Sequence, residues 1–226
     1  MRRAELKTIR ALPLFSGMSN RNFDRLMKDA LLQWFPARTE LIRERELPDY
    51  LHVVVEGMVE LFATRGEQSA TIDILRPVTA FIIAAVVRDE QYLNGARTLM
   101  PARILLIQAS AVRSVFSEDA VFARAVVDEL ATRYRAVIEV LKNDRLGSSI
   151  DRVLNWVARE DVRQHRKGSI RIPFDKRMLA SYLGMRPENL SRAFQALKRH
   201  GISVHGKIIS IKDRKSLRRL ARTARH

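Results

Sequence analysis

The most constraining feature of the sequence is a pair of short helical patterns joined by a glycine, within residues 175–200. Asp175 can cap a first helix over residues 176–183, because its carboxylate can accept hydrogen bonds from the amides of the first turn. Gly184 follows at the position where a left-handed residue costs least. A second helix is predicted over residues 187–200, since proline at its first position already has a helical φ. Two helices around such a turn predict a helix-turn-helix.

A hairpin pattern follows this pair directly. Residues 202–204 and 207–211 are apolar enough to form short β-strands, and His205-Gly206 lies between them. Glycine is common in tight hairpin turns because it adopts positive φ without a steric cost. The order helix, turn, helix and hairpin predicts a winged helix-turn-helix.

The positive charge of the chain is concentrated in this C-terminal part. The whole sequence has 41 Lys and Arg against 25 Asp and Glu, a formal net charge of +16. Residues 147–226 alone hold 20 basic and 6 acidic residues, whereas residues 1–146 are nearly balanced. An excess of this density attracts a polyanion, which indicates binding to nucleic acid.

The second helix of the pair has a polar side that suits the major groove of double-stranded DNA. Arg192 can donate two hydrogen bonds to guanine, and Glu188 can accept one from cytosine. Ser191 is short enough to lie near the groove floor, so these three residues are the predicted base readers. Other cations are predicted to bind the DNA backbone, which sets register without reading sequence. They are Lys176, Arg177, Arg186, Lys198, Arg199 and Lys207.

The N-terminal half of the chain has a different pattern. Residues 1–30 are predicted to form short helices, one of them capped by Ser19. Short β-rich runs then follow, separated by turn residues, as is typical of a barrel or jelly roll. The predicted strands are residues 31–35, 40–42, 51–55, 58–63, 69–75, 80–87, 96–100 and 103–108.

A helix of about 29 residues is predicted from Ser117 to Arg145, a stretch without glycine or proline. Its apolar residues recur at alternating spacings of three and four, as in the seam of a coiled coil. A helix about 40 Å long cannot bury two apolar faces against one small β domain, so we expect a twofold dimer. The alternative is a single long core helix in a monomer. The predicted dimer seam consists of Val127, Leu130, Tyr134, Val137 and Leu141.

These patterns together predict an α+β chain of three parts. They are an N-terminal β-roll (residues 1–116), a dimerisation helix (residues 117–146) and a winged helix-turn-helix (residues 147–226). At the joint after Gly147, Ser149 is the predicted cap of a helix over residues 150–162.

The composition and the motif content of the sequence exclude or disfavour several classes of function. The sequence has no cysteine, so it cannot form a disulfide framework, a thiolate zinc site or an iron–sulfur cluster. No Ser/His/Asp set, phosphate-binding loop or metal-ligand cluster is present, which disfavours an enzyme. No apolar run approaches the roughly 20 residues of a membrane span and no signal-peptide pattern is present. We therefore expect a cytoplasmic protein without a membrane partner.

The order of the three parts resembles the CRP/FNR superfamily of bacterial transcription regulators, over about residues 12–215. The resemblance is strongest in residues 179–194, where Glu188-x-x-Ser191-Arg192 is similar to the recognition signature of the FNR branch. It implies a cyclic-nucleotide-binding-like β-roll (a double-stranded jelly roll) and a homodimer that reads an inverted repeat of TTGA-like half-sites. It also implies that exposed loops contact RNA polymerase, and residues 162–168 lie where one such loop would fall.

The β-roll departs from the members of the superfamily that bind cyclic AMP. Those members hold the ribose with a glutamate in a G-E-L cassette and the phosphate with a later arginine. The corresponding residues here are Ile-Ile-Ala-Ala at 82–85, and the later stretch is near Arg97. Isoleucine cannot accept a hydrogen bond from a ribose hydroxyl, so cyclic AMP is not the expected effector.

An apolar effector pocket is the remaining expectation, around Phe81, Ile82 and Ile83 with His52 beside it. One hypothesis is that it holds haem, as in gas-sensing members of the superfamily, with His52 or Met58 as the candidate iron ligand. The other is that these residues fill the core and no effector binds.

Two further functions stay open from the sequence. A basic RNA-binding or architectural protein would have the same charge excess, although the few aromatic residues of the C-terminal part follow its core pattern and give no stacking platform. A regulatory subunit that binds a small molecule would have the same β-roll, and its affinity for DNA would be incidental.

Overall fold

A computed structural model describes residues 3–165 and 168–223 of the chain. It divides the chain into two compact units, with the boundary between Arg135 and Ala136. The α-helices of the described part are α1 (Arg3–Arg10), α2 (Pro13–Ser16), α3 (Asn20–Met27), α4 (Ile83–Arg88), α5 (Ala109–Glu118), α6 (Ala120–Leu146), α7 (Ser149–Arg163), α8 (Lys176–Tyr182), α9 (Pro187–Leu197) and α10 (Arg214–Thr223). Its strands are β1 (Leu31–Phe35), β2 (Glu40–Ile42), β3 (Tyr50–Glu56), β4 (Val59–Arg65), β5 (Gln68–Leu75), β6 (Thr79–Phe81), β7 (Gly95–Thr98), β8 (Ala102–Gln108), β9 (Ser169–Arg171), β10 (Ile202–His205) and β11 (Ile208–Ile211).

Two four-stranded antiparallel sheets build the first unit, in the orders β1-β8-β3-β6 and β2-β7-β4-β5. They enclose an apolar interior to which both contribute, for example Val54 from β3 and Val59 from β4. The other face of the first sheet is covered by α1, α2, α3, α4, α5 and the start of α6. Alternate residues of a strand point to opposite faces, so Leu51 and Val53 belong to the helix-covered core while Val54 belongs to the interior. The predicted β-roll is confirmed.

The strand predicted over residues 80–87 is wrong. β6 ends at Phe81, Ile82 has a left-handed conformation (φ +59°), and the next six residues form α4. A short apolar run is compatible with either a buried strand or a buried helix, because periodicity alone cannot separate the two. Here Ile83 and Val86, three residues apart, are both buried on one side of α4.

The predicted long helix is present, but it begins later and follows a separate helix. α5 ends at Glu118, and α6 runs from Ala120 to Leu146. Asp119 lies between them in an extended conformation, and its Oδ1 accepts hydrogen bonds from the amides of Val121 and Phe122, both at 3.0 Å. An N-cap of this kind starts a new helix because it satisfies amides that have no partner within the helix.

The second unit contains the rest of α6, a helical group of α7, α8 and α9, and a three-stranded sheet in the order β10-β11-β9. Ser148, one residue before the predicted Ser149, caps α7. Its hydroxyl accepts a hydrogen bond from the Asp151 amide (3.2 Å), and the Asp151 carboxylate accepts one from the Ser148 amide (2.9 Å). This reciprocal pair favours Ser148, because a carboxylate lies three residues after it.

Candidate nucleic-acid interface

The turn between α8 and α9 has the local geometry that the sequence predicts. The carboxylate of Asp175 accepts a hydrogen bond of 2.7 Å from the Met178 amide at the start of α8. Gly184 has φ +60°, a conformation that favours glycine. Arg186 is extended, and Pro187 is the first residue of α9. The path of the chain into α9 therefore follows from the backbone preferences of Gly184 and Pro187.

The helix α9 has a buried side and an exposed side. Leu190, Ala193, Phe194 and Leu197 are buried. The three predicted base readers, Glu188, Ser191 and Arg192, are all exposed. Their spacings of three and four residues place them on one side of the helix. No ion pair joins Glu188 to Arg192 within the described residues, so both side chains have their polar atoms available.

The predicted backbone cations share the same property. Lys176, Arg177, Arg186, Lys198, Arg199 and Lys207 are all exposed. In the described part of the chain, none of the six forms an ion pair. Other arginines of the second unit do: Arg163 pairs with Glu160, and Arg214 pairs with Asp161 at 3.4 Å. The cations around α9 therefore carry positive charge that no carboxylate of the described chain neutralises.

The hairpin after α9 has its turn in solvent. β10 and β11 pair from Ile202 with Ile211 to His205 with Ile208. Gly206 in the turn has φ +57°, and His205 and Lys207 beside it are exposed. The predicted wing is confirmed, and it presents Lys207 at its tip.

A groove of about 190 Å³ lies between α8, α9 and β10. Its polar lining consists of Lys176, Ser191, Gln195 and Lys198, and its apolar wall of Leu190, Phe194 and Val204. The groove brings together two of the predicted backbone cations that are 22 residues apart in the sequence.

Sequence reasoning missed one residue that positions this region, Arg152 of α7. Its Nη1 donates to the Asp144 carboxylate at the end of α6 and to the Gly184 carbonyl in the turn before α9, each at 3.3 Å. Arg152 thereby connects the long helix to the turn that orients α9. No periodic pattern of residues around Arg152 in the sequence indicates this role.

The predicted dimer seam lies mostly in solvent. Val127, Tyr134, Val137 and Leu141 are between 46% and 67% exposed, which is unusual for apolar side chains on one side of one helix. Leu130 differs from them. It is half-buried and packs against the helix-covered core of the first unit.

The predicted effector residues are in two different cores. Phe81 is buried in the interior between the sheets, and Ile82 packs against it from the edge. Ile83 is buried on the other side, in the helix-covered core. The expectation that all three surround one pocket is therefore wrong. Their separation follows from the turn at Ile82, which reverses the side on which the next residue lies.

Arg97, the candidate arginine of the β-roll, points away from the interior. Its neighbour Ala96 is part of the interior core, so Arg97 lies on the opposite face of β7. There its Nε donates to the buried Glu60 carboxylate at 2.6 Å, and its guanidinium stacks 4.5 Å over the Phe62 ring. The residues present do not fit a cyclic nucleotide held in the interior by this arginine.

The imidazole of His52 is buried beside Phe81, with 5.3 Å between the ring centroids. Its Nδ1 lies 3.1 Å from the Tyr50 carbonyl oxygen, to which a neutral ring donates. Burial lowers the pKa of His52 to about 4, and the hydrogen bond to Tyr50 opposes this only in part. Met58, the other haem-ligand candidate, lies in the turn between β3 and β4. Within the described residues, no three His, Cys, Asp or Glu side chains are grouped to hold a metal ion.

His52 gives a prediction about stability and pH. Its folded pKa of about 4 lies below its ordinary value of 6.5, so the unfolded chain binds more protons between these two values. The contribution of the neutral His52 ring to the free energy of unfolding should therefore be fully present above pH 6.5. The free energy of unfolding should fall by up to about 3 kcal/mol as the pH decreases from 6.5 to 4. Urea unfolding at several pH values measures this, and His52→Gln should flatten the curve. An unchanged pH dependence in the variant would contradict the assignment, whatever its absolute stability.

Two family models match the sequence. A cyclic nucleotide-binding domain matches residues 32–119, and a Crp-like helix-turn-helix domain matches residues 151–220. A comparison with curated protein sequences finds no significant match. Over the described residues, every helix is too short or too polar to cross a bilayer.

Several solved structures share the fold of the chain. FixK2 from Bradyrhizobium japonicum is 21% identical with a TM-score of 0.74, over 84% of this chain and 96% of that one. DNR from Pseudomonas aeruginosa is 21% identical with a TM-score of 0.53, over 97% and 99%. A CooA mutant from Carboxydothermus hydrogenoformans is 14% identical with a TM-score of 0.71, over 86% and 89%.

Proposed function

The chain belongs to the CRP/FNR superfamily of transcription regulators, and on this premise we propose that it binds an inverted repeat of TTGA-like half-sites as a homodimer. The observation that supports this most directly is the surface of α9. Glu188, Ser191 and Arg192 are exposed on one side of it, and their side-chain polar atoms have no partner among the described residues, which leaves them available to base edges. In this proposal Arg192 reads the guanine of each half-site and Glu188 reads the paired cytosine.

The six exposed cations support the same function through a different property of DNA. Each of Lys176, Arg177, Arg186, Lys198, Arg199 and Lys207 can neutralise a phosphate, and each neutralised phosphate releases counterions. The affinity should therefore decrease steeply as the salt concentration rises. These contacts fix the register of α9 on the duplex and leave the choice of sequence to the three base readers.

The seam of α6 provides the twofold pairing. An exposed stripe of apolar side chains from Val127 to Leu141 can be covered by the same stripe of a second copy. Two recognition helices related by a twofold axis match an inverted repeat, because the symmetry of the site then mirrors that of the protein. We include residues 117–146, which hold the end of α5 and the whole of α6, in the proposal as the dimerisation segment between the β-roll and the winged unit.

RNA polymerase is a further partner in this proposal, besides DNA and a second copy of the chain. The segment 162–168 begins at the last two residues of α7, where Val162 is 56% exposed. Arg166 and Lys167 of this segment lie outside the described residues. An exposed apolar residue beside a polar loop is a surface that a partner protein can cover.

The β-roll in our proposal acts without a cyclic nucleotide. Arg97 is held by Glu60 on the outer face, and Phe81 and Ile82 contribute their side chains to the interior. The buried position of His52 beside Phe81 supports a filled core over a haem pocket. In this case the amount of protein sets the level of DNA binding.

An RNA-binding function has less support. Trp156, Phe174 and Phe194 are all buried in the described part of the second unit. Readers of single-stranded RNA stack bases on exposed aromatic side chains, and these three are not available for stacking.

Selection of duplexes from a random pool tests the function. We expect the selected sequences to contain an inverted repeat with a G·C pair in each half-site. The affinity for this repeat should fall with salt and stay unchanged when cyclic AMP or haemin is added. A pool with no repeated element would contradict sequence-specific binding. A ligand that raises the affinity would overturn only the effector-independent part of the proposal.

A further inference from the structure

Gln195 occupies the next position on the polar side of α9. It lies three residues after Arg192 and four after Ser191, so it is on the same side of the helix and one turn further along. Its side chain is exposed, and its amide makes no hydrogen bond to any described residue. The exposed polar side of α9 therefore extends one turn beyond the three predicted base readers.

The surroundings of Gln195 differ from those of an isolated surface glutamine. It lines the groove of about 190 Å³ with Lys176 of α8 and with Lys198, the residue that directly follows α9. Two ammonium groups at the same groove can hold the DNA backbone, since lysine acts on phosphate as a point charge. The apolar wall of Leu190 and Phe194 offers no hydrogen bond, so the neutral polar side chains of the groove are the Ser191 hydroxyl and the Gln195 amide, in the same lining as the two lysines.

The chemistry of the amide indicates what it would contact. The two lysines bind a phosphate more strongly than the amide does, because hydrogen bonds between charged groups are stronger than those of a neutral amide. What the amide adds is a donor and an acceptor in one plane. Adenine presents the matching pair in the major groove, its N7 acceptor and its N6 donor.

We propose that Gln195 is a fourth base reader, which selects adenine at a base pair next to the G·C pair read by Arg192 and Glu188. This inference rests on the DNA-binding function proposed above and adds to it a fourth determinant of sequence. The length of α9 allows it, because three residues advance the helix by about 4.5 Å, somewhat more than the 3.4 Å rise of one base pair.

The test is a comparison of base preferences in the full chain. Two sets of four palindromic duplexes are made, one set for each of the two positions that flank the guanine read by Arg192. Within a set, the four duplexes carry the four different base pairs at that position in both half-sites. The wild-type protein should prefer adenine at one of these positions by about tenfold per half-site, as expected for one bidentate contact. Gln195→Ala should bind all four duplexes equally. Gln195→Glu should transfer the preference to cytosine, because a carboxylate only accepts hydrogen bonds.

Lys198→Ala is the matched control from the same groove. It should lower the affinity for all four duplexes by one common factor and reduce the dependence on salt, since it removes a phosphate contact. If Gln195→Ala behaves like Lys198→Ala, the amide touches only the backbone and the proposal is wrong. It is also wrong if Gln195→Ala keeps the wild-type preference. A wild-type protein that prefers no palindrome over a scrambled duplex would instead overturn the DNA-reading function itself.

Discussion

Replacing Tyr134 and Val137 together by aspartate is expected to produce monomers whose affinity for a palindromic duplex is lower by about a hundredfold or more. Both side chains are more than 60% exposed, so a single copy of the chain loses little packing when they are changed. In a dimer, each aspartate would be buried against the same helix of the partner, where an unpaired charge is costly. Separate half-sites then lose the avidity that joins two binding events, which is commonly worth two to four orders of magnitude.

The choice of these two positions comes from the structure. Leu130 belongs to the same seam, but it packs against the helix-covered core of the first unit, so its replacement would also weaken the fold. Thr132→Asp with Ala136→Asp is the matched control, because both residues are exposed on α6 away from the seam and the change in charge is the same. Sedimentation equilibrium and binding to single and paired half-sites measure the effect. Dimers that persist in the seam variant would place the interface elsewhere.

Replacing Arg192 by alanine is expected to cost about 1–3 kcal/mol per half-site, thus about 2–6 kcal/mol for a dimer on a palindrome. The preference for guanine at its position should disappear together with the affinity, because a bidentate contact supplies both. Stability should change by less than about 0.5 kcal/mol, since Arg192 is exposed and forms no ion pair within the described residues. Binding to duplexes with each base at that position, beside urea unfolding, separates the two quantities.

Arg199→Ala is the control for this prediction. Arg199 is exposed two residues after the end of α9, and in the proposed function it contacts the DNA backbone. Its loss should weaken binding to all duplexes alike. A uniform loss for Arg192→Ala as well would mean that Arg192 binds phosphate and that the base readers lie elsewhere on α9.

The winged helix-turn-helix could be predicted from the sequence because its signals are local. Asp175 caps α8 with its own side chain, Gly184 and Gly206 take positive φ in their turns, and Pro187 begins α9. Each of these preferences belongs to one residue and its immediate neighbours, so it holds before any tertiary contact forms. The alternation of buried and exposed positions along α9 then follows from the helical period.

The β-roll was harder to predict where the choice depended on distant residues. Residues 80–87 are apolar throughout, and the helix α4 forms because Ile83 and Val86 have a core to pack against, which other helices and the first sheet supply. The same turn separates Ile83 from Phe81, so that the two side chains enter different cores and not the one pocket that their closeness in the sequence predicts. Nothing in the local sequence specifies which core a given apolar side chain enters.

The sequence by itself determined which residues form α9, which side of it is polar, and where the positive charge is concentrated, because helix period, capping and composition act over a few residues. Only the tertiary structure decided that Arg97 is held by Glu60 and that Leu130 packs inside its own unit while Tyr134 does not. It also brought Lys176 and Lys198 to one groove around Gln195. These facts depend on contacts between residues far apart in the chain, which burial and pairing establish only when the whole unit folds.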